Sequence, residues 1–124
     1  MITHIVWDFN GTVLDDAYTS VLAVNEMLMA RGLPKTNLEI YKKTLVMPLT
    51  EYYKTVGIYT DDISVLSQEF RKYCEMHKGN SRIFDGVFDV IKFARSRGIK
   101  NILLSSLYKR MSRFLFCDML ERCI

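Results

Sequence analysis

Five residues near the N-terminus carry groups that could do chemistry together: Asp8, Asn10, Gly11, Thr12 and Asp15. Gly11 lets the backbone turn tightly and is expected to expose peptide N–H groups, and Thr12 adds a hydroxyl. Asp8 precedes this turn by three residues. The stretch therefore predicts an acidic side chain beside donors that could hold an anion.

The element that must position Asp8 is the apolar run before it. Ile5, Val6 and Trp7 are apolar and mostly strand-favouring, which predicts a buried strand ending at Asp8. In open α/β sheets ligands bind at the carboxyl ends of the strands. The alternative is an ordinary strand and turn, in which Asp8 only accepts hydrogen bonds from loop N–H groups.

A second strand, buried and parallel, is predicted over residues 99–106, an apolar run that ends in the hydroxyls of Ser105 and Ser106. A helix precedes it, with Asp85 as the expected N-cap and Gly98 as the expected end. The apolar residues expected to form the buried stripe of this helix are Val87, Val90, Ile91 and Ala94.

Four helices are predicted between the two strands, over about 17–31, 36–45, 48–56 and 62–77. Thr36 and Glu39 have the spacing of a capping box, Gly32 and Gly57 stand where helices should stop, and Asp61 or Asp62 can cap the fourth helix. No strand candidate lies among them. The pattern predicts an α/β core formed by residues 1–15 and 82–124, interrupted by a helical bundle at 16–81.

Composition narrows the class of protein. The chain has 124 residues, of which 49% are hydrophobic, so a folded core is expected. No apolar run is long enough to cross a bilayer, and the odd cysteine count indicates reduced thiols in a cytoplasmic protein that binds no membrane. Residues 90–117 contain bases but no acids, which could attract a phosphorylated substrate. Solvated helix faces explain that bias better than a nucleic-acid partner does.

Asp8, Gly11, Thr12, Val13 and Asp15 resemble the first motif of the haloacid dehalogenase-like hydrolase superfamily, Asp-x-Asp-Gly-Thr-[Leu/Val]-x-Asp. The run ending at Ser105 is similar to its second motif. The segment 46–49 resembles the Gly-x-Pro-Leu of the phosphoglycolate phosphatase and β-phosphoglucomutase branch, with Val in place of Gly. The resemblance implies a Rossmann-like parallel sheet core, here partial, and makes residues 16–81 a helical cap.

The resemblance also implies an activity: Mg²⁺-dependent hydrolysis of a small phosphorylated metabolite, with Asp8 as the nucleophile that forms an aspartyl-phosphate. It assigns Gly11, Thr12, Ser105 and Ser106 to the phosphate. The Asp8 carboxylate and the backbone carbonyl of Asn10 would bind the metal. Asn10 stands where these phosphatases carry an acid that protonates the leaving group, and an amide cannot replace that acid.

The resemblance covers little more than the first half of the superfamily pattern. The later Lys that neutralises the phosphate and the later acids that hold magnesium cannot be assigned, so the chain is expected to be truncated and its activity impaired. Two alternatives stay open: a catalytically inactive module that binds phosphate, and a metal-independent 2-haloacid dehalogenase. A core lacking strands should also leave apolar surface uncovered and favour self-association.

Overall fold

The computed structural model describes residues 1–60 and 62–105, and these divide into two compact units. The core unit contains Met1–Asp15 and the chain from Arg82 onward, and the helical unit contains Asp16–Ser81. Asp61 and residues 106–124, which include Ser106 and a helix that the sequence predicts from Tyr108 onward, lie outside the described residues. The described elements are β1 (His4–Asp8), β2 (Leu14–Asp15), α1 (Ala17–Met29), α2 (Leu38–Thr44), α3 (Leu49–Thr55), α4 (Ile63–His77), a 3₁₀ helix (Lys78–Asn80), β3 (Arg82–Ile83), α5 (Val87–Ser96) and β4 (Lys100–Leu104).

The core unit is built on a parallel pair of strands, β1 and β4, as predicted. His4 pairs with Lys100 at one end of the ladder and Asp8 with Leu104 at the other. Helix α5 covers one face of this sheet. Its residues Val87 and Ile91 are buried in a cluster with Phe9, Val13 and Leu14, against which Trp7 and Leu103 also pack.

The face of the sheet opposite α5 is more exposed than the sequence predicts. Both strands were expected to be buried, but exposed and half-buried residues alternate along each of them. Val6, Ile102 and Leu104 are exposed. The apolar run of a strand does not reveal whether one or both faces will be covered, since that depends on elements elsewhere in the fold.

A short antiparallel pair joins the two segments of the core unit. Leu14 of β2 pairs with Ile83 of β3, and Asp15 pairs with Arg82. The Phe84 N–H donates to the Val13 carbonyl at 3.0 Å, and Arg82 Nε lies 3.8 Å from Asp15 Oδ2. Strands of two residues have no recognisable hydrophobic period, so the sequence does not predict this pair.

The helical unit consists of four α-helices around one apolar cluster, with no strand among its described residues. Helix α1 packs against α4. The buried residues at the centre are Val24, Met27, Leu28, Tyr52, Tyr53, Ile58 and Leu66. At the end of α1, Arg31 donates two hydrogen bonds of 2.7 Å to the carboxylate of Glu69 on α4. Burial raises the pKa of the Cys74 thiol to about 12, which keeps this cysteine protonated and unreactive near neutral pH.

The predicted helices that lie within the described residues are confirmed to within a few residues, but two caps and one buried position are wrong. Helix α2 is capped by Asn37, whose Oδ1 accepts from the Ile40 N–H at 2.9 Å, and not by Thr36. Helix α5 has no side-chain cap at Asp85; Gly86 stands at the N-cap with a positive φ of 84°. Val90 was expected on the buried stripe of α5 and is exposed.

Asn25 explains why Thr36 does not cap α2. Its Nδ2 donates to the Thr36 carbonyl at 3.0 Å, and its Oδ1 accepts from the Thr36 N–H at 2.8 Å. This two-way contact holds the Thr36 backbone against α1, one residue before the N-cap Asn37. The Thr36 hydroxyl is buried without a hydrogen-bond partner.

Candidate functional site

Asp8 and Ser105 lie at the same edge of the parallel sheet, where the carboxyl ends of β1 and β4 meet. Asp8 is the last residue of β1 and pairs with Leu104, the last residue of β4, so Ser105 is one residue beyond this pair. The Asp8 side chain is exposed and Ser105 is half-buried. Parallel pairing therefore brings a carboxylate and a hydroxyl to the edge where open α/β sheets bind ligands.

The turn after β1 is anchored by two buried apolar residues, Phe9 and Val13. The Phe9 carbonyl accepts hydrogen bonds from the N–H groups of Val13 and Leu14, both at 2.9 Å. Between them Gly11 has a φ of 74°, a left-handed conformation that a residue with a Cβ rarely adopts. Open space surrounds the place of a Cβ at Gly11, so backbone conformation and not crowding requires glycine here.

The peptide N–H groups of this turn were expected to be exposed so that they could bind an anion, and the structure differs. The Gly11 N–H donates to the Leu14 carbonyl at 2.9 Å, and the Thr12 N–H donates to the Phe9 carbonyl at 3.3 Å. Both peptide groups are thus engaged inside the turn. The Thr12 hydroxyl donates to Asp8 Oδ2 at 3.2 Å, and it is this side chain that reaches the carboxylate.

A contact that the sequence did not single out holds the two strands in register. Trp7 Nε1 donates a hydrogen bond of 2.8 Å to Asn101 Oδ1, across the pairing that aligns Asp8 with Leu104. Both side chains are partly buried, so the loss of one would leave a polar group of the other unpaired. The sequence signal for this contact is Asn101, an amide side chain within the apolar run of β4.

The charge and metal-binding capacity of the site rest on few groups. Among the described residues, no ion pair involves Asp8, and no cluster of three or more acids, histidines or cysteines could enclose a metal ion. The Asp8 carboxylate and the Asn10 backbone carbonyl are oxygen donors, and Asn10 is half-buried two residues beyond β1. Mg²⁺ commonly takes one or two carboxylates and fills its shell with water and substrate oxygens, so this donor set fits a weakly held Mg²⁺.

Five of the six predicted site residues are described, namely Asp8, Asn10, Gly11, Thr12 and Ser105. Asp8 is the last residue of β1, and the other four lie within four residues after the carboxyl end of β1 or β4. The sixth, Ser106, lies outside the described residues. Within the described ranges, no helix has both the length and the apolar character that a membrane crossing requires.

Comparison with known proteins gives a consistent result. Residues 5–116 match the family described as haloacid dehalogenase-like hydrolase. A haloacid dehalogenase-like hydrolase from Bacteroides fragilis superposes with a TM-score of 0.74 at 21% identity, covering 98% of this chain and 57% of that one. No curated protein matches.

Two further solved structures share the fold. A predicted phosphatase from Clostridium acetobutylicum superposes with a TM-score of 0.75 at 18% identity, over 98% of this chain and 56% of that one. A predicted phosphoglycolate phosphatase from Haemophilus somnus has a TM-score of 0.62 at 14% identity, over 88% of this chain and 53% of that one. The chain thus spans little more than half the length of the solved structures it resembles.

Proposed function

The chain belongs to the haloacid dehalogenase-like hydrolase family, and from this membership we propose that it carries the nucleophile of a phosphate-monoester phosphatase, with Asp8 in that role. The observation that supports the proposal most is the pairing of Asp8 with Leu104, which puts the Asp8 carboxylate and Ser105 at the same sheet edge. The Thr12 hydroxyl, 3.2 Å from Asp8 Oδ2, would orient the carboxylate for attack.

The reaction would proceed in two steps. An Asp8 carboxylate oxygen attacks phosphorus, a P–O bond to Asp8 forms, and the ester P–O bond breaks to release the alcohol oxygen. Water then attacks the same phosphorus, which returns the Asp8 carboxylate and releases inorganic phosphate. Carboxylate nucleophiles of this kind divide one difficult displacement into two easier ones. The Ser105 hydroxyl would donate to a phosphate oxygen in both steps.

A bound Mg²⁺ would neutralise part of the charge on the phosphate. The Asp8 carboxylate and the Asn10 carbonyl would hold it, since a backbone carbonyl is present whatever the side chain at that position. The remaining ligands would be water and substrate oxygens.

The amide at Asn10 supports a second candidate function, a module that binds a phosphate group without hydrolysing its ester. This amide has no titratable proton near neutral pH, and a missing general acid typically costs about 10²–10⁴-fold in rate. The leaving oxygen would then have to take its proton from water. In this candidate Asp8, Thr12 and Ser105 still form the cradle, and the ligand is still a small phosphorylated metabolite.

The test is phosphate release from a panel of phosphate monoesters that includes 2-phosphoglycolate, with and without Mg²⁺. We expect slow release by the wild type, none by Asp8→Asn, and wild-type release by Asp85→Asn, which removes an exposed acid of the same unit. Digestion of acid-quenched samples should show one phosphoryl group on the peptide that contains Asp8. Release that survives in Asp8→Asn would contradict the assignment.

If no monoester is hydrolysed, titration with inorganic phosphate followed by amide NMR separates the two candidates from a misassigned site. Shifts at Thr12 and Ser105 that Asp8→Asn changes would favour the binding module. Halide release from 2-haloacids without added metal would instead identify a dehalogenase.

A further inference from the structure

Asn10 and Gly11 form an asparagine–glycine pair in the turn that follows β1. Asparagine is a thermolabile residue, because its side-chain amide can be attacked by the peptide nitrogen of the residue that follows it. Glycine hinders that attack least, since it has no Cβ. Open space also surrounds the place of a Cβ at Gly11. The other four asparagines do not precede glycine: they are Asn25, Asn37, Asn80 and Asn101, and Glu, Leu, Ser and Ile follow them.

The fold of the turn restrains this pair. Gly11 is exposed and Asn10 is half-buried. The Gly11 N–H donates to the Leu14 carbonyl at 2.9 Å, and Asn10 forms a β-bridge with Leu14. The Gly11 nitrogen must lose its proton before it can attack, and this hydrogen bond holds the proton. The reacting atoms and the hydrogen bond that restrains them all lie within residues 10–14, so a reaction needs only a local opening of the turn.

We propose that Asn10 is a site of spontaneous deamidation, which proceeds when the hydrogen bond between Gly11 and Leu14 opens. The deprotonated Gly11 nitrogen attacks Cγ of Asn10, so that an N–Cγ bond forms and the Cγ–Nδ2 bond breaks. Ammonia leaves with the proton that the Gly11 nitrogen gave up, and a five-membered succinimide ring remains. Water then opens the ring. Attack of water at Cγ gives aspartate at position 10, whereas attack at the backbone carbonyl carbon gives isoaspartate, in which the chain continues through Cγ.

The two products have opposite consequences for the site. Aspartate keeps the backbone unchanged and replaces the amide by a carboxyl group that can carry a proton. That group would be a general acid two residues after Asp8, a consequence that rests on the proposed function. Isoaspartate adds a backbone carbon between β1 and Gly11. The longer backbone should break the hydrogen bonds that the Phe9 and Leu14 carbonyls accept inside the turn.

The first test follows freshly prepared protein over time by mass spectrometry of its digested peptides. We expect the peptide that contains Asn10 to exchange an amide NH₂ for OH and to give two products, which co-elute with synthetic aspartate and isoaspartate peptides. The rate should rise with pH, because the attacking nitrogen must lose a proton. Asn37 and Asn80, which are exposed, should stay intact over the same period. Asn10→Gln should abolish the reaction, since the longer side chain would have to close a six-membered ring.

The second test measures the restraint that the turn imposes. In guanidinium chloride, which unfolds the chain, Asn10 should deamidate about tenfold to a hundredfold faster than in the folded chain, as expected when one hydrogen bond and a local backbone rearrangement are removed. Phe9→Ala removes the buried anchor of the turn and should bring the rate towards that of the unfolded chain. Phe93→Ala, at an exposed position of α5, is the matched control and should leave the rate unchanged. Hydrogen exchange of the Gly11 amide in the wild type should be slowed by a similar factor.

An Asn10 that stays intact while Asn37 or Asn80 deamidates would overturn the proposal. So would a folded chain that reacts about a thousandfold or more slowly than the unfolded one, since Asn10 would then react only after global unfolding. Equal rates in the two states would mean that the hydrogen bond to Leu14 imposes no restraint, and would overturn it as well.

Phosphate release by the same samples is a separate readout. It should rise with the fraction of aspartate at position 10, towards the value measured for Asn10→Asp. Release that stays constant while this fraction grows would contradict the proposed function and leave the deamidation site standing.

Discussion

The hydroxyl of Thr12 donates a hydrogen bond of 3.2 Å to Oδ2 of Asp8, the residue four positions earlier in the chain. Through this contact the turn orients the side chain that ends β1. The hydrogen bond is charge-assisted, because its acceptor is a carboxylate.

The first prediction tests that contact. Thr12→Val keeps the shape of the side chain and removes the donor, so we expect phosphate release, or phosphate binding if turnover is absent, to fall about tenfold. Thr12→Ser keeps the hydroxyl and should stay within about threefold of the wild type. Equal losses in both variants would show that the methyl group, and not the hydrogen bond, is what the site uses.

The second prediction concerns Asn10. We expect Asn10→Asp to raise phosphate release in Mg²⁺ buffer by less than about tenfold, although a general acid is typically worth about 10²–10⁴-fold. Among the described residues no ion pair involves Asp8 and no group of three acids, histidines or cysteines could hold a metal ion, so we expect the carboxylate and the phosphate still to approach with little compensation.

Turnover by Asp8→Asn/Asn10→Asp provides the background for that measurement and should be zero. A gain of a hundredfold or more in the single variant would contradict the prediction, because it would mean that the remaining charges of the site are already balanced.

The third prediction tests the anchor of the turn. Phe9 is fully buried between β1 and the turn, and its carbonyl accepts the hydrogen bonds that close the turn. Phe9→Ala should lower the free energy of unfolding by about 3–5 kcal/mol. The matched variant Phe93→Ala, on the outer side of α5, should change it by less than about 0.5 kcal/mol. Urea unfolding followed by circular dichroism measures both, and similar losses would mean that Phe9 is less buried in solution.

The fourth prediction separates the two candidate caps of α2. Asn37→Ala removes the side chain that accepts from the Ile40 N–H and should cost about 1 kcal/mol of stability. Thr36→Val replaces a buried hydroxyl that has no partner and should be neutral or stabilising. If Thr36→Val lowered the thermal stability more than Asn37→Ala did, the result would support Thr36 as the cap of α2, as the sequence predicts.

The fifth prediction is a pH dependence. The hydrogen bonds from Arg31 lower the pKa of the Glu69 carboxyl below its ordinary value of 4.5. Stability from this pair is therefore present above pH 4.5 and is lost as the pH falls through the lowered pKa. Since the two side chains are 33% and 21% exposed, we expect a loss of about 1 kcal/mol.

Urea unfolding at pH 7 and at pH 3 measures that loss, and Glu69→Gln should remove it. The Glu39–Lys43 pair is the control, because its side chains are 76% and 72% exposed and Glu39→Gln should leave the pH profile unchanged. A wild-type profile that Glu69→Gln does not alter would contradict the assignment.

Much of the fold could be predicted because its signals are local. The apolar runs before Asp8 and Ser105 indicate two strands that pair in parallel, as the structure confirms. Gly32 and Gly98 mark the ends of α1 and α5, since each adopts a positive φ just beyond its helix. The sequence alone therefore predicts the two strands that carry Asp8 and precede Ser105.

What could not be predicted depends on distant partners. Whether Val6 is buried depends on a covering layer and not on the strand that contains it. Whether Thr36 or Asn37 caps α2 is decided by Asn25, more than ten residues earlier. The hydrogen bond from Trp7 to Asn101 joins residues 94 positions apart. The presence of Asn101 in an apolar run does not indicate which distant side chain its amide will contact.

The β2–β3 pair has a consequence for how such chains can change over time. The helical unit leaves the core after Asp15 and returns at Arg82, and these two residues are paired neighbours, about 5 Å apart in such a ladder. A tight hairpin turn could close that gap in place of the whole bundle. Inserted segments of quite different length and sequence can therefore be exchanged at this point during evolution without moving β1 or β4, and a recombinant graft at the same junction should be equally well tolerated.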